Sequence, residues 1–506
     1  MEQISGKIKT GVKAITITAQ KGETVHNILR DNGIYLDAPC GGKGTCGKCK
    51  AKITGNVSKL SDKERTFLAQ TEIENHIRLA CLCKVHGDFT VEAEQPFYED
   101  FKAGLKLTAH KNGIGAAADI GTTTVTVYFY DLETGERLYS VSELNNQKAF
   151  GADVISRINY CIHNKEGNKK LQKVIIEQIN SMAEEFCKLA DISKESVTEY
   201  VITGNTVMEL LAAGYDVTSL GALPFTPASL MGETKYVKDI SFTVNEKTKI
   251  YFMPAVSGFL GGDIIASMLA CDFDTQKSTS LLIDIGTNGE IALRHNGIIY
   301  CCSAAAGSAF EGAQIKNGTG SVKGAIKKVF TEKDRVVIET IGNGEPVGIC
   351  GSGLIDAISV MLQKNVIDKT GKIVKENKDF FALTKDICIT QKDIREVQLA
   401  KSAIASGIAV LLSTAGISSK DIEKVFLAGS FGSAINPESA GKIGLLPMSL
   451  SKKAKILGNA AGLGAVKCLL NEENKIRAEK IAINIKTVIL ASNPVFEKEF
   501  IDNLQF

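Results

Sequence analysis

Cys40-Gly-Gly-Lys-Gly-Thr-Cys46-Gly-Lys-Cys49 decides how the front of this chain folds, and Cys81, the next cysteine along, completes the set. Three thiolates crowded into one glycine loop, with a fourth from a distant segment, is how a protein holds a [2Fe–2S] cluster. Thiolates suit soft iron, and four of them satisfy two tetrahedral irons bridged by sulfide. Gly41, Gly42 and Gly44 let the backbone wrap tightly and aim N–H groups at the sulfurs. Cys40, Cys46, Cys49 and Cys81 are therefore the expected metal ligands, and the expected chemistry is one-electron transfer.

The loop also contains two decoys. Gly42, Gly44 and Gly47 spell the dinucleotide pattern G-x-G-x-x-G, and Gly42 to Lys48 spells most of a phosphate loop. Cys49 stands where the phosphate loop needs Ser or Thr for magnesium, and no long helix follows. Zinc loops usually pair two C-x-x-C units, whereas Cys81 and Cys83 are C-x-C. Cys83 is either a spare ligand or an inert neighbour. Cys301, Cys302 and Cys350 sit in apolar runs and read as core residues.

The chain has 506 residues, 44% hydrophobic and 23% charged, as in a globular protein of about three domains. Net charge is +2, so no charge excess points to nucleic acid or an anionic membrane. Thirteen cysteines, an odd number without a secretory start, argue against a disulfide framework and for a reducing cytoplasm. No stretch reaches the roughly 18 uninterrupted apolar residues that a membrane span needs.

Residues 13–19 alternate like a half-buried strand, Thr24 to Asn32 reads as a capped helix, and strands are expected near 48–53 and at Phe89–Glu94. These make an α+β module over residues 1–95 that resembles the β-grasp ferredoxins, with the Cys40–Cys46 gap of the adrenodoxin-like branch. Residues 96–113 read as a linker whose aromatics leave room for a homodimer. Strands and helices then alternate to the end. One block repeats: Asp119-Ile-Gly121-Thr122-Thr123 returns as Asp284-Ile-Gly286-Thr287-Asn288, each at the end of an apolar strand. Repetition on this scale predicts two similar lobes, 114–278 and 279–506.

In each turn the glycine leaves room for a phosphate, Thr and Asn offer donors, and the aspartate at the strand end suits magnesium through water. Two such turns face to face would grip a triphosphate. Gly429-Ser430-Phe-Gly432, closing the apolar run from Val425, lets adenosine approach the backbone. The glycine-rich helix starts at Gly258–Asp263 and Gly351–Asp356 are expected to cross at a hinge. Asp263 and Glu290 are the catalytic candidates: either can orient water, cap a helix or ligate magnesium.

The ordered motifs resemble the acetate kinase, sugar kinase, heat-shock chaperone and actin superfamily. That resemblance implies a two-lobed α/β actin-like ATPase built on a duplicated ribonuclease H-like unit. A ferredoxin module joined to that fold resembles the reductive activators of corrinoid proteins, found mostly in anaerobes. Thr203–Met208, Pro254–Asp263 and Ser303–Ala313 extend the likeness along the chain. The resemblance implies a [2Fe–2S] cluster, ATP and Mg2+. It also implies a corrinoid-carrying partner from a methyltransferase system, whose Co(II) is reduced to Co(I), and an upstream electron donor. Three other readings stay open at this point: a different low-potential acceptor, a nucleotide-regulated carrier without turnover, and a small-molecule kinase with a ferredoxin appendage.

Overall fold

Gln3–Lys9 buries every second residue, among them Ile4 and Ile8, as a strand with one covered face must. It is β1 of a five-stranded sheet with β2 (Ala14–Gln20), β3 (Lys50–Val57), β4 (Ile77–Leu79) and β5 (Val85–Glu92), in the order β2-β1-β5-β3-β4. β1 and β5 run parallel and the other pairs antiparallel. The helix Val25–Asp31 starts at Thr24, whose hydroxyl accepts the Asn27 N–H, and sends Val25, Ile28 and Leu29 into one core with Ile8, Ile53 and Val91. This is the β-grasp plan. The structure is a computed structural model and describes residues 3–9, 14–32, 34, 36, 38, 40, 42–92, 97–100, 113–240, 242, 246–312, 314–374, 379–429 and 435–506.

The first lobe's sheet contains β6 (Phe97–Asp100), β7 (Ile114–Ile120), β8 (Thr124–Asp131), β9 (Arg137–Leu144), β10 (Val197–Gly204), β11 (Glu233–Tyr236) and β12 (Lys249–Phe252). Their order is β11-β12-β10-β7-β8-β9-β6. Residues 97–100, expected in the linker, pair instead with β9 as an edge strand. The rest of that segment, Gly113 aside, lies outside the described residues.

The second lobe opens with β13 (Ser280–Ile285), β14 (Gly289–His295) and β15 (Ile298–Ala304). A small sheet of β16 (Ala325–Glu332), β17 (Arg335–Thr340) and β18 (Gly348–Ile349) follows, then the pair β19 (Phe380–Ala382) and β20 (Cys388–Thr390). β21 (Lys424–Ala428), β22 (Ala454–Gly458) and β23 (Ile485–Thr487) return to the main sheet, ordered β22-β21-β13-β14-β15-β23. The run β9-β8-β7-β10-β12 thus repeats as β15-β14-β13-β21-β22, two antiparallel pairings followed by two parallel ones in each. The repeated Asp-Ile-Gly-Thr block is the sequence trace of this duplicated ribonuclease H-like unit.

Between the sheets the helices Gly262–Ala270 and Ala460–Leu470 cross, sharing a core with Ala117 and Val201 of one sheet and Leu282 and Ala292 of the other. A β-carbon at Gly464 would fall 1.9 Å from Ala266 O, so only glycine permits this approach. The expected crossing of the helices opened at Gly258 and Gly351 is therefore corrected. The helix Gly351–Gln363 packs on β16, with Gly353 against Ile326 O. Among the described residues one helix, Gln391–Ala415, is long and apolar enough to cross a membrane, but 78% of its apolar window is buried and it lies on β14 and β15 as a core helix.

Candidate functional site

The cluster loop lies between the helix Val25–Asp31 and β3. Its thiols meet as two pairs: Cys46 Sγ lies 3.3 Å from Cys40 Sγ, and Cys49 Sγ lies 3.2 Å from Cys81 Sγ. Two sulfurs per iron is the division a sulfide-bridged two-iron cluster requires. Backbone N–H groups of Thr45 and Cys46 donate to Cys40, that of Lys48 to Cys46, and that of Gly44 to Cys81. The Cys46 thiol donates to Cys40 and pulls its pKa down to about 4; the Cys49 thiol lowers Cys81 in the same way. The Cys46 and Cys49 thiols, which donate those bonds and are buried, are pushed up in turn, so each pair holds one lowered and one raised thiol; four sulfurs gathered in two pairs and ringed by amides fit a bound cluster. Gly47 has φ +67°, and a β-carbon there would lie 2.5 Å from Phe67. Cys83 belongs to neither pair, and burial pushes its thiol up to about 11.

The second site is a cleft of about 80 Å³ between the lobes. Asp119, Gly121 and Thr122 line it from the first lobe's turn, and Asp284, Gly286, Thr287 and Asn288 from the second. Asp263, Glu290 and Gly429 also line it, while Thr123 lines an adjoining cavity of about 320 Å³. Ser430 and Gly432 lie outside the described residues. Gly429 has φ +127°, and a β-carbon there would sit 2.2 Å from Ile285 O, so the strand end can approach the second turn only as glycine.

The cleft gathers charge. Burial pushes Asp119 up to about 7, with help from the charge of Asp284. Burial also raises Asp263 to about 7 and Asp284 to about 6. Glu290 stands well above the usual carboxylate range, raised by burial and then by Asp263 and Asp284. Four carboxyl groups raised by burial, three of them also by a neighbouring carboxylate, surround one small space and suit a hard divalent cation, whose charge would relieve them.

Three family comparisons match along the chain: a 2Fe–2S iron–sulfur cluster binding domain over residues 9–86, the RACo middle region over 114–276, and the C-terminal, ASKHA domain of RACo over 278–506. The corrinoid activation enzyme RamQ of Eubacterium limosum is 36% identical over 417 residues, 78% of this chain and 70% of that protein. The chain belongs to the reductive activators of corrinoid proteins. A second relative of this activator is the [Co(II) methylated amine-specific corrinoid protein] reductase of Methanosarcina barkeri, 28% identical over 78% of this chain and 77% of its own. A solved structure, a reductive activator for corrinoid, iron–sulfur protein, matches 99% of this chain and 98% of its own with a TM-score of 0.74 and 28% identity.

The activator's cleft also holds residues that the sequence reading missed. Asn459 Nδ2 donates to Asp119 Oδ2 at 2.8 Å, Ser267 Oγ to Asp284 Oδ2 at 2.6 Å, and Asn205 Nδ2 to Thr122 Oγ1 at 3.0 Å. The fully buried Arg157 donates to Thr122 O and Gly151 O from behind the first turn. Glu209 accepts the Gly262 N–H through Oε2, while its buried Oε1 has no hydrogen-bond partner among the described residues. Glu311 accepts hydroxyls from both turns: Thr123 Oγ1 at 2.6 Å and Thr287 Oγ1 at 2.5 Å. Asn205 and Glu311 lie in segments that carried the family likeness. Asn459, Arg157 and Glu209 had no local signal.

Proposed function

We propose that this activator uses ATP binding and hydrolysis to pass one electron from its [2Fe–2S] cluster to the Co(II) corrinoid of a partner from a methyltransferase system, restoring Co(I). The observation that carries this reading is the seat of the cluster loop. Lys48 Nζ donates to Gly318 O at 2.7 Å and to Ile315 O at 3.3 Å, so the electron-carrying module rests on the lobe that shares the nucleotide cleft.

When bound, the cluster supplies a one-electron donor. Cys40 and Cys46 would hold one iron and Cys49 and Cys81 the other, and the amides of Gly44, Thr45, Cys46 and Lys48 would draw charge from the sulfurs and ease reduction. Plant-type clusters sit near about −400 mV, and each tenfold bias costs about 59 mV for one electron. A Co(II) corrinoid is harder to reduce, so the acceptor must be biased by a step that nucleotide drives.

Asp119 and Asp284 would hold magnesium from the two lobes, and Thr122, Thr123, Thr287 and Asn288 would offer donors to phosphate oxygens. Gly429 would border the adenosine, and Ser430 and Gly432 remain sequence candidates for the same contact. Of the two catalytic candidates, Asp263 is the better suited to orient and deprotonate water, because a pKa of about 7 matches ordinary pH. Glu290 is raised further, by burial and then by the charges of Asp263 and Asp284, and its Oε1 accepts the Ser303 hydroxyl at 3.4 Å, so it is the less available base.

The test mixes dithionite-reduced chain with a Co(II) corrinoid protein under anoxic conditions and follows the Co(I) absorption and phosphate release. Co(I) should accumulate only with Mg–ATP, and Asp263→Asn should slow phosphate release at least about 100-fold. Equal Co(I) yield without ATP would refute the proposal.

A further inference from the structure

Glu311 stands where two phosphate turns meet. One of its oxygens, Oε2, accepts a hydroxyl from each lobe, Thr123 and Thr287. A shared anionic acceptor between opposed phosphate-binding hydroxyls is what a terminal phosphate oxygen would be. The cleft around it, at about 80 Å³, is far below the roughly 300–1,000 Å³ of small-molecule sites. Glu311 also lines the adjoining cavity of about 320 Å³, so it stands between that space and the turns, and a terminal phosphate that is to reach both hydroxyls must displace it.

The segment that carries Glu311 also carries the cluster module. Ile315 O and Gly318 O accept Lys48 Nζ, and Lys48 lies between Cys46 and Cys49. This stretch is pinned to the second lobe: Lys316 N–H donates to Asp393 Oδ1 at 2.7 Å and Thr319 N–H to Ile349 O at 2.9 Å. The module also reaches the first lobe. Lys170 Nζ lies 3.3 Å from Asp31 Oδ1, and the Arg30 guanidinium lies 5.4 Å from the centre of the Phe150 ring. The module thus bridges both lobes, and any rotation between them must break one anchor.

The two anchors are unequal. Asp31 and Lys170 are both more than two-fifths exposed, and exposed ion pairs contribute little. Lys48 makes two charge-assisted bonds to half-buried carbonyls, which are the stronger kind.

We propose that Glu311 is a latch. It occupies the terminal-phosphate position and ties the lobes together when no nucleotide is bound. When nucleotide displaces it, the cluster module stays on the second lobe through Lys48 and swings off the first. That motion opens the cavity of about 770 Å³ that Cys40 and Cys46 share with Ala152 and Asp153, giving a partner access to the cluster edge. This rests on the nucleotide reading given above and names how that site is regulated.

The experiment is hydrogen–deuterium exchange of the full chain, cluster loaded, with and without adenylyl imidodiphosphate and magnesium. The analogue should speed exchange at least threefold over residues 25–32 and 146–152 and leave 44–50 and 315–319 unchanged. Glu311→Ala should show the fast exchange without the analogue. It should also bind the analogue about tenfold tighter by calorimetry, because no occupant must be displaced. Glu311→Gln, which keeps one acceptor, should fall between and guards against a misfolded Ala variant; the cluster absorption reports folding of the front module. Lys48→Ala should release 44–50 and 315–319 as well. Binding without faster exchange at 25–32 and 146–152, or Glu311→Ala and Glu311→Gln binding no tighter than the parent, overturns the latch alone. No binding of the analogue to the parent overturns the nucleotide reading together with it.

Discussion

Asp119→Asn should stabilise the cation-free protein, and should do so more at alkaline pH. Burial raises the Asp119 carboxyl from 3.8 to about 7, so between those values the native state holds a proton that the unfolded chain has lost. Native stability therefore falls as pH rises through that window and levels off above about 7. From pH 5 to pH 8 about two units of the shift are in play, or about 2.7 kcal/mol for a dry group. Asp119 is enclosed by protein yet lines a cleft that water enters, so about half of this, ~1.4 kcal/mol, is the better figure. Asn cannot ionise, and its side-chain oxygen can still accept the amide of Asn459. In EDTA the gain of the variant over the parent should thus grow by about 1.4 kcal/mol from pH 5 to pH 8, roughly 3–6 °C in the melting temperature of the lobes. Circular dichroism melts of both proteins across that range measure it, and the parent–variant difference cancels groups that titrate elsewhere. Magnesium should raise the parent at pH 8 and leave the variant nearly unmoved. A difference that does not change with pH, or a variant less stable at pH 8 than at pH 5 relative to the parent, would refute the reasoning.

Cys46→Ser should abolish the visible cluster absorption and lower the iron content, whereas Cys83→Ala should keep both, because Cys83 lies in neither thiol pair. Gly429→Ala forces a β-carbon to within 2.2 Å of Ile285 O at a positive φ; calorimetry should show nucleotide affinity falling at least about tenfold, and chemical denaturation a loss of about 1–3 kcal/mol. Arg78 makes hydrogen bonds of 2.8 and 2.9 Å to Glu64, whose side chain is wholly buried; Arg78→Ala should therefore cost the cluster module about 3–5 kcal/mol, read from urea unfolding followed at the cluster absorption.

The sequence was most legible where one short segment carries the whole function. The cluster loop, the two Asp-Ile-Gly-Thr turns and the strands that lead into them needed no tertiary information, because glycine spacing and apolar runs act locally. β1 escaped because Gly6 sits on its buried face and weakens the apolar alternation. The hinge was misassigned for a different reason. Small residues announce that a helix approaches something closely, but Gly258, Gly351 and Gly464 announce it equally, and only the folded chain chooses Ala460–Leu470 as the partner of Gly262–Ala270. Glu311 and Asn459 act across lobes, so their partners are set by how the sheets come together; the segment of Glu311 carried the family likeness but not its partners, and Asn459 had no local signal.

The bond between Asn459 and Asp119 joins residues 340 positions apart, which sets a schedule for synthesis. A ribosome adding about 5–20 residues per second needs roughly 20–70 s to travel that distance. Throughout that interval the front module has all of its cysteines and can mature on its own, while the first aspartate waits without its amide and the helix Ala460–Leu470 has not yet been made. A nascent chain stalled near residue 450 should accordingly take up iron and ignore nucleotide, so the cysteine site of the molecule is complete well before the cleft between its lobes.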